Sequence, residues 1–169
     1  MKNEYFYEND YAVIVVNRKG VAYHYMVDKE DINLLESYKG TLHRGTDDYC
    51  YANLPTGKGQ RKRIALHRML MKPNVDMVVD HINRNTLDNR RENLRVITTG
   101  QNTQNIHGNK RSETGIRGVS RNKKWGKPWR ARVRVNGKDK YLGSFDTLEE
   151  AERAAIEGRK KYLPYSTEI

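Results

Sequence analysis

The chain has 169 residues, which suffices for one domain or two small ones, each with a limited core. Only 36% of the residues are hydrophobic and no apolar run reaches about 18 residues, so no membrane span is predicted, and the N-terminus has no signal-peptide pattern. The single cysteine, Cys50, excludes a disulfide framework and a cysteine-rich zinc site and favours an intracellular, reducing compartment. Its apolar neighbourhood predicts a buried strand residue.

The net charge of +11 is concentrated beyond residue 60. Residues 1–60 carry 7 basic and 9 acidic side chains, a net of −2, whereas residues 61–111 carry +7 and residues 112–169 carry +6. A basic surface of this kind attracts polyanions. The charge of the middle and C-terminal parts therefore predicts that they bind nucleic acid. Charge alone is also compatible with a basic surface that is only solvated.

The acidic N-terminal part is predicted as a small α+β module over residues 1–60. Residues 11–27 alternate as two strands around Arg18-Lys19-Gly20, and Asp28 is expected to cap a helix that ends near Tyr38. Two further strands are expected near 41–53 and 61–66. The pattern leaves the role of this module open between structural support and an accessory DNA contact.

The central part, residues 61–107, is predicted as a β-β-α unit, followed by a polar linker at 108–115. Its expected elements are a helix or strand–helix join at 64–72 stopped by Pro73, a strand at 75–82, a loop or short helix at 86–93, a strand at 94–97, and a helix beginning near Gly100 that carries Asn102 and Asn105.

Residues 116–163 predict a three-stranded antiparallel sheet packed on one helix. The second strand alternates strictly from Trp129 to Val135, which places three side chains on one face: Arg130, Arg132 and Arg134. Asn136-Gly137 is the favoured pair for a two-residue type I′ hairpin, so Tyr141 should lie opposite Arg132. The helix is expected to be capped by Asp146 or Thr147, with Glu149 or Glu150 completing a capping box. The whole chain is thus α+β in class.

Four side chains in the central unit could form a hydrolytic site: Asp80, His81, Asn93 and Asn102. A carboxylate and an amide oxygen suit a hard cation such as magnesium or manganese. His81 could act as a general base on water, with Asn93 accepting a hydrogen bond from one ring nitrogen. Without further support, a surface Asp-His pair and ordinary loop asparagines remain the alternative.

Residues 64–107 resemble the HNH, or ββα-metal, nuclease family. The resemblance is carried by five ordered blocks: Leu66-His67-Arg68, Val79-Asp80-His81-Ile82-Asn83, Asp88-Asn89-Arg90, Glu92-Asn93-Leu94-Arg95 and Gln101-Asn102. It implies His81 as general base, Asn93 as its orienting partner, and Asp80 with Asn102 as ligands of one divalent metal ion, Mg²⁺ or Mn²⁺. The two cysteine pairs of zinc-binding members are lacking, so no structural zinc is expected.

Two other residues of these blocks have open roles. Asn89 is the nearest alternative for the middle position of the motif, although a turn or loop bond is the role expected for it. His67 is open between a phosphate contact and a structural histidine.

Residues 112–163 resemble the DNA-binding domain of plant ethylene-response factors. The matching residues are Arg117-Gly118-Val119, Trp125-Gly126-Lys127, Ala131 to Arg134, Tyr141 to Thr147 and the alanine-rich helix. The resemblance implies a sheet in the major groove of DNA, with Arg117, Trp125, Arg130, Arg132, Arg134 and Tyr141 facing it. Ser120 replaces an arginine of the plant domains and Arg132 replaces an acid, so their target sequence does not transfer.

The order of the units resembles free-standing HNH homing endonucleases of phages and mobile introns. The expected function is a site-specific, metal-dependent endonuclease that binds double-stranded DNA and nicks one strand as a monomer. No membrane partner and no small-molecule substrate is expected, and the expected location is the cytoplasm of a bacterial or phage-infected cell. The alternatives are a non-catalytic DNA-binding regulator with a relic HNH unit and an RNA- or structure-specific nuclease.

Overall fold

The computed structural model describes residues 1–57, 59–105, 113–122 and 126–167. It divides into two compact units, Met1–Thr98 and Thr99–Ile169. Most of the predicted linker, 108–112, lies outside the described residues, as does the end of the predicted central unit at 106–107. In the described residues, no helix is long and apolar enough to span a membrane.

The N-terminal unit begins with an antiparallel sheet and a short helix. The sheet has the order β1-β2-β3, with the strands β1 Tyr5–Glu8, β2 Tyr11–Arg18 and β3 Val21–Asp28, and helix α1 follows at Asp31–Ser37. The predicted cap at Asp28 is wrong. Asp28 pairs with Tyr11 as the last residue of β3, and the helix begins only at Asp31, after Glu30, without a side-chain cap.

A second antiparallel sheet and a helix complete the scaffold on which the site is built. The sheet has the order β4-β5-β6, with the strands β4 His43–Arg44, β5 Cys50–Gly57 and β6 Gln60–Ala65. Helix α2, Leu66–Met71, continues directly from β6, as the predicted strand–helix join requires. The helix is capped at its C-terminal end by Lys72, whose φ of 45° is left-handed, and Pro73 prevents its continuation.

The core of this unit joins both sheets and both helices. Its fully buried side chains come from β2, β3, α1, β5 and α2 and include Ile14, Tyr25, Leu35, Cys50 and Leu66. The Tyr25 hydroxyl donates to the Asp48 carbonyl at 2.9 Å, so its burial leaves no unpaired donor.

Cys50 is 2% exposed, which confirms its predicted place in the core, and burial raises the pKa of its thiol to about 12. We expect the folded protein to be inert towards an aromatic disulfide reagent at pH 8, because the thiolate is the reactive form. The reaction should proceed at once in denaturant. A thiol titration with and without guanidinium checks this, and rapid labelling of the native protein would contradict the burial.

A hairpin carries the residues of the predicted nuclease motif. Strands β7 Met77–His81 and β8 Leu94–Thr98 are antiparallel, with His81 paired to Leu94, and a 3₁₀ turn at Arg91–Asn93 precedes β8. We call residues 82–93 the connecting loop. Helix α3, Thr99–Asn102, is a single turn that opens the C-terminal unit.

The predicted extension of this helix to Asn105 is wrong. The Thr103 hydroxyl donates to the Gly100 carbonyl at 2.7 Å and competes with the helical backbone bond there. Asn105 therefore lies beyond the helix, where its side chain is buried.

The C-terminal unit contains the predicted sheet on one helix, which confirms the expected fold class. The sheet order is β11-β10-β9, with the elements β9 Val119–Arg121, β10 Trp129–Val135, β11 Lys138–Phe145 and α4 Leu148–Tyr162. Asn136 and Gly137 both have positive φ, as a type I′ turn requires, and Tyr141 is opposite Arg132. Thr147 and Glu150 form the predicted capping box.

Candidate active site and nucleic-acid interface

His81 lies at the C-terminal end of β7 and is 3% exposed. Two other rings pack against its imidazole. The His67 ring, from α2, is nearly perpendicular to the His81 ring, and their centroids are 5.1 Å apart. The centroid of the Tyr49 ring, just before β5, is 5.7 Å from that of His81. Tyr49 and His67 also touch each other, with centroids 5.1 Å apart. The three rings form a closed cluster, so His81 is held from two sides by segments that precede the hairpin.

Asn89 supplies the amide oxygen that contacts His81. Its Oδ1 lies 3.3 Å from His81 Nε2, and its NH₂ group donates to the Thr86 carbonyl at 3.2 Å. The NH₂ bond fixes which end of the amide faces the histidine. Because an amide oxygen can only accept, this contact requires the proton on Nε2, which in a neutral ring leaves the lone pair on Nδ1.

The predicted bond from His81 to Asn93 is replaced by this contact with Asn89. Asn93 is buried and its amide serves the loop: Oδ1 accepts from the Asn83 backbone N–H and Nδ2 donates to the Asp88 carbonyl, both at 2.8 Å. The first bond closes the base of the connecting loop, and the second ties its end to its middle. The structure thus brings Asn89 to His81, and gives Asn93 the task of closing the loop.

The interior of the connecting loop is polar. Asp88 is 2% exposed and its carboxylate accepts from Arg90 at 2.8 and 2.9 Å and from Asn83 Nδ2 at 3.1 Å. These bonds satisfy a buried charge that would otherwise be costly. These bonds stabilise the loop conformation in which Asn89, 1% exposed, lies beside His81.

Burial sets the protonation of both histidines. Desolvation lowers the pKa of His81, opposed by the Asn89 bond and by Asp80 and Asp88. Desolvation together with the neighbouring His81 and Arg68 lowers the pKa of His67 to about 3. Both rings are thus stabilised in the neutral form, which is the form a general base requires.

The low pKa of His67 makes stability depend on pH. Unfolded His67 binds a proton below pH 6.5 and folded His67 does not, so lowering the pH stabilises the unfolded state. Between pH 7 and pH 5 this removes about 2 kcal/mol from the free energy of unfolding. We expect His67→Leu to lack this component in urea titrations at the two pH values. Equal pH dependence of the two proteins would contradict the assignment.

Asp80 is held by an arginine on the neighbouring strand. Arg95 is its cross-strand partner and donates Nε and Nη2 to Asp80 Oδ2 at 2.9 and 2.7 Å. The Asp80 side chain is 10% exposed. Asn102 is the half-buried last residue of α3 and belongs to the C-terminal unit.

The donor set predicted for a metal ion is chemically suitable but small. Among the residues that the structure describes, no group of three or more His, Cys, Asp or Glu side chains could hold a metal ion. The two predicted ligands offer one carboxylate and one amide, so water and the substrate phosphate would have to supply the other donors to a cation. Magnesium is commonly bound through this kind of set.

The predicted DNA-facing arginines share the open face of the C-terminal sheet. Arg130, Arg132 and Arg134 are all exposed, while Ala131 and Val133 between them are buried under α4. The alternation predicted for β10 is thus confirmed. Tyr141, opposite Arg132, is 62% exposed, and its hydroxyl is 2.8 Å from Ser144 Oγ.

Sequence reasoning missed an acidic neighbour on this face. Asp139 lies opposite Arg134, and its Oδ2 accepts from Arg132 Nη1 at 2.7 Å. An exposed pair of this kind contributes little stability, so its effect is on the orientation of Arg132. The register set by the Asn136-Gly137 turn was the signal that could have revealed it.

The two remaining predicted contacts differ from these. The Arg117 guanidinium donates to the Gln104 carbonyl at 2.8 Å and is partly buried, so it braces the C-terminal unit. Trp125 lies outside the described residues.

Two stretches of the chain match known domain families. Residues 72–104 match the family described as HNH endonuclease, and residues 114–163 match the AP2 domain. No curated protein and no solved structure matches the chain. The first stretch includes β7, the connecting loop, β8 and α3, whereas residues 1–71, with Tyr49 and His67, lie outside both. The chain therefore contains an HNH endonuclease match followed by an AP2 domain match, and the two agree in place and order with the two resemblances in its sequence.

Proposed function

We propose that this protein is a site-specific, divalent-metal-dependent endonuclease of double-stranded DNA, with His81 as the general base. The observation that carries the proposal is the state of His81. It is a buried, neutral imidazole with Nε2 on an amide oxygen, next to Asp80, in the stretch that matches HNH endonucleases.

The reaction follows from the lone pair on His81 Nδ1. This nitrogen takes a proton from a water molecule as the water oxygen forms a bond to phosphorus. The bond between phosphorus and the 3′-oxygen breaks, which leaves a 5′-phosphate and, after protonation, a 3′-hydroxyl. The ring does not need to rotate during the step, because Asn89 holds Nε2–H.

The resemblance to HNH nucleases implies Asp80 and Asn102 as the residues that would hold the divalent cation. When bound, the cation supplies electrostatic stabilisation of the charge that develops on the phosphate and the leaving oxygen. Arg95 orients the Asp80 carboxylate by taking Oδ2 with two bonds.

The AP2 sheet is proposed to choose the site. A two-stranded β-ribbon fits the major groove of B-DNA, and arginine is the side chain most often used there to read guanine. Three exposed arginines alternate on β10, which supports duplex DNA over RNA, whose major groove is too narrow for such reading.

A single candidate general base of this kind among the residues that the structure describes supports nicking by a monomer. We further propose an intracellular setting and a homing role in phage or intron DNA, in line with the predicted order of domains. Incubation of supercoiled plasmid carrying source genomic fragments with Mg²⁺ or Mn²⁺ tests this: nicked circles should accumulate first. Direct conversion to linear DNA would contradict monomeric nicking, and efficient competition by RNA would favour the RNA nuclease.

A further inference from the structure

The connecting loop is docked on the edge of the first sheet. The Met26 backbone N–H donates to the Leu87 carbonyl, and the Asn89 backbone N–H donates to the Met26 carbonyl, both at 2.8 Å. Met26 and Asp88 thereby form a parallel bridge. A single residue of β3 thus fixes the backbone on both sides of Asp88, and the second of its bonds goes to Asn89 itself.

A second attachment lies at the other end of the loop. The Arg91 backbone N–H donates to Asp28 at 2.8 Å, and the Arg91 guanidinium donates to the two oxygens of Asp31 at 2.6 and 3.2 Å. Asp31 is 4% exposed and begins α1. A buried carboxylate is costly to leave unpaired, so this ion pair constrains the loop more strongly than an exposed pair would.

These two attachments hold the residue that contacts His81, the proposed general base. Asn89 is held through its backbone by Met26 and through its NH₂ group by Thr86, and its remaining polar atom, Oδ1, meets His81 Nε2. Tyr49, also from residues 1–60, packs on the same imidazole. Every one of these contacts lies within the N-terminal unit.

We propose that Asn89 is the positioning residue of His81 and that residues 1–60 are part of the nuclease centre, because β3 and α1 hold the loop that places Asn89. The acidic N-terminal segment thus sets the tautomer and ring orientation of the base. This inference rests on the proposed function of His81 and assigns the orienting role to Asn89 rather than to Asn93.

The decisive variants at Asn89 either remove or keep the oxygen that accepts from His81 Nε2. Asn89→Leu preserves the approximate volume without an acceptor, and we expect about a 10–100-fold loss of kcat with an unchanged KM, as for other groups that orient an active histidine. Asn89→Asp retains an oxygen acceptor and should recover much of this loss. Nitrogen-15 NMR of the histidine rings should show His81 with the proton on Nε2 in wild type and a tautomer mixture in Asn89→Leu.

The contribution of residues 1–60 is tested by Asp31→Asn, which weakens the pair with Arg91. We expect a smaller loss of kcat than in Asn89→Leu and faster hydrogen exchange of the Asn89 amide, which Met26 protects. Glu92→Gln is the matched control, because Glu92 is itself exposed and its carboxylate pairs with Arg90 in the same turn. It should change neither quantity.

The NMR and exchange measurements do not require activity, so the two proposals fail separately. An inactive wild type with the expected His81 tautomer would reject the proposed function and keep the positioning role. An active wild type, with Asn89→Leu cutting equally well and an unchanged His81 ring signal, would overturn the inference.

Discussion

Replacing His81 with alanine should reduce the single-turnover rate of DNA cleavage about 10²–10⁴-fold, the usual contribution of a general base. Affinity for DNA should stay unchanged, because the imidazole is 3% exposed and the arginines proposed to contact DNA lie on the C-terminal sheet. The rate is measured on a short labelled duplex with enzyme in excess, and the affinity on the same duplex in a calcium buffer.

The control for this variant is His43→Ala. His43 is half-buried in β4 and contacts Tyr51, with ring centroids 6.1 Å apart, so the same substitution is made away from the cluster around His81. This control should cut at the wild-type rate. A His81→Ala protein that remains folded and cuts as fast as wild type would remove His81 from the chemistry.

Removing the three arginines of β10 should weaken DNA binding more than any other substitution proposed for this protein. Each arginine that reads a base contributes about 1–3 kcal/mol of discrimination. Each one that neutralises a phosphate contributes about 0.9 to the slope of log K against log salt. The triple change to alanine of Arg130, Arg132 and Arg134 should therefore weaken binding and flatten the salt dependence, as measured by fluorescence anisotropy at several salt concentrations.

A charge-matched control separates the effect of these three arginines from the effect of lowering the net charge of the protein. Arg153, Lys160 and Lys161 are exposed on α4, which packs against the opposite face of the same sheet. Replacing all three by alanine also removes three positive charges, but it should leave most of the DNA affinity and of the sequence preference intact. Equal losses in the two triple variants would show that binding depends on total charge alone.

The elements that the sequence predicted correctly are those fixed by local rules. The Asn136-Gly137 pair sets the hairpin register, strict alternation separates Arg132 from its buried neighbours, and Pro73 ends α2. Thr147 has a glutamate at the third helical position and forms the capping box. In each case a few neighbouring residues determine the outcome, so no tertiary information was needed.

The arrangement around His81 could not be predicted in this way. Tyr49, His67 and Asn89 are 32, 14 and 8 residues from His81 in sequence, and only the packing of α2 and the docking of the loop on β3 bring them together. The sequence assigned the role of orienting His81 to Asn93, because the position of Asn93 fits the nuclease motif. Its two loop bonds depend on the path of residues 83–88, which composition and periodicity do not specify.

The most direct test of the proposed function is a cleavage time course with wild-type protein on supercoiled plasmid carrying source genomic fragments, in Mn²⁺ and in EDTA, with binding recorded on the same DNA. We predict nicked circles in Mn²⁺, none in EDTA, and binding in both. Tight binding to a defined duplex that stays intact in Mn²⁺ would contradict the nuclease and favour a DNA-binding regulator with a relic HNH unit.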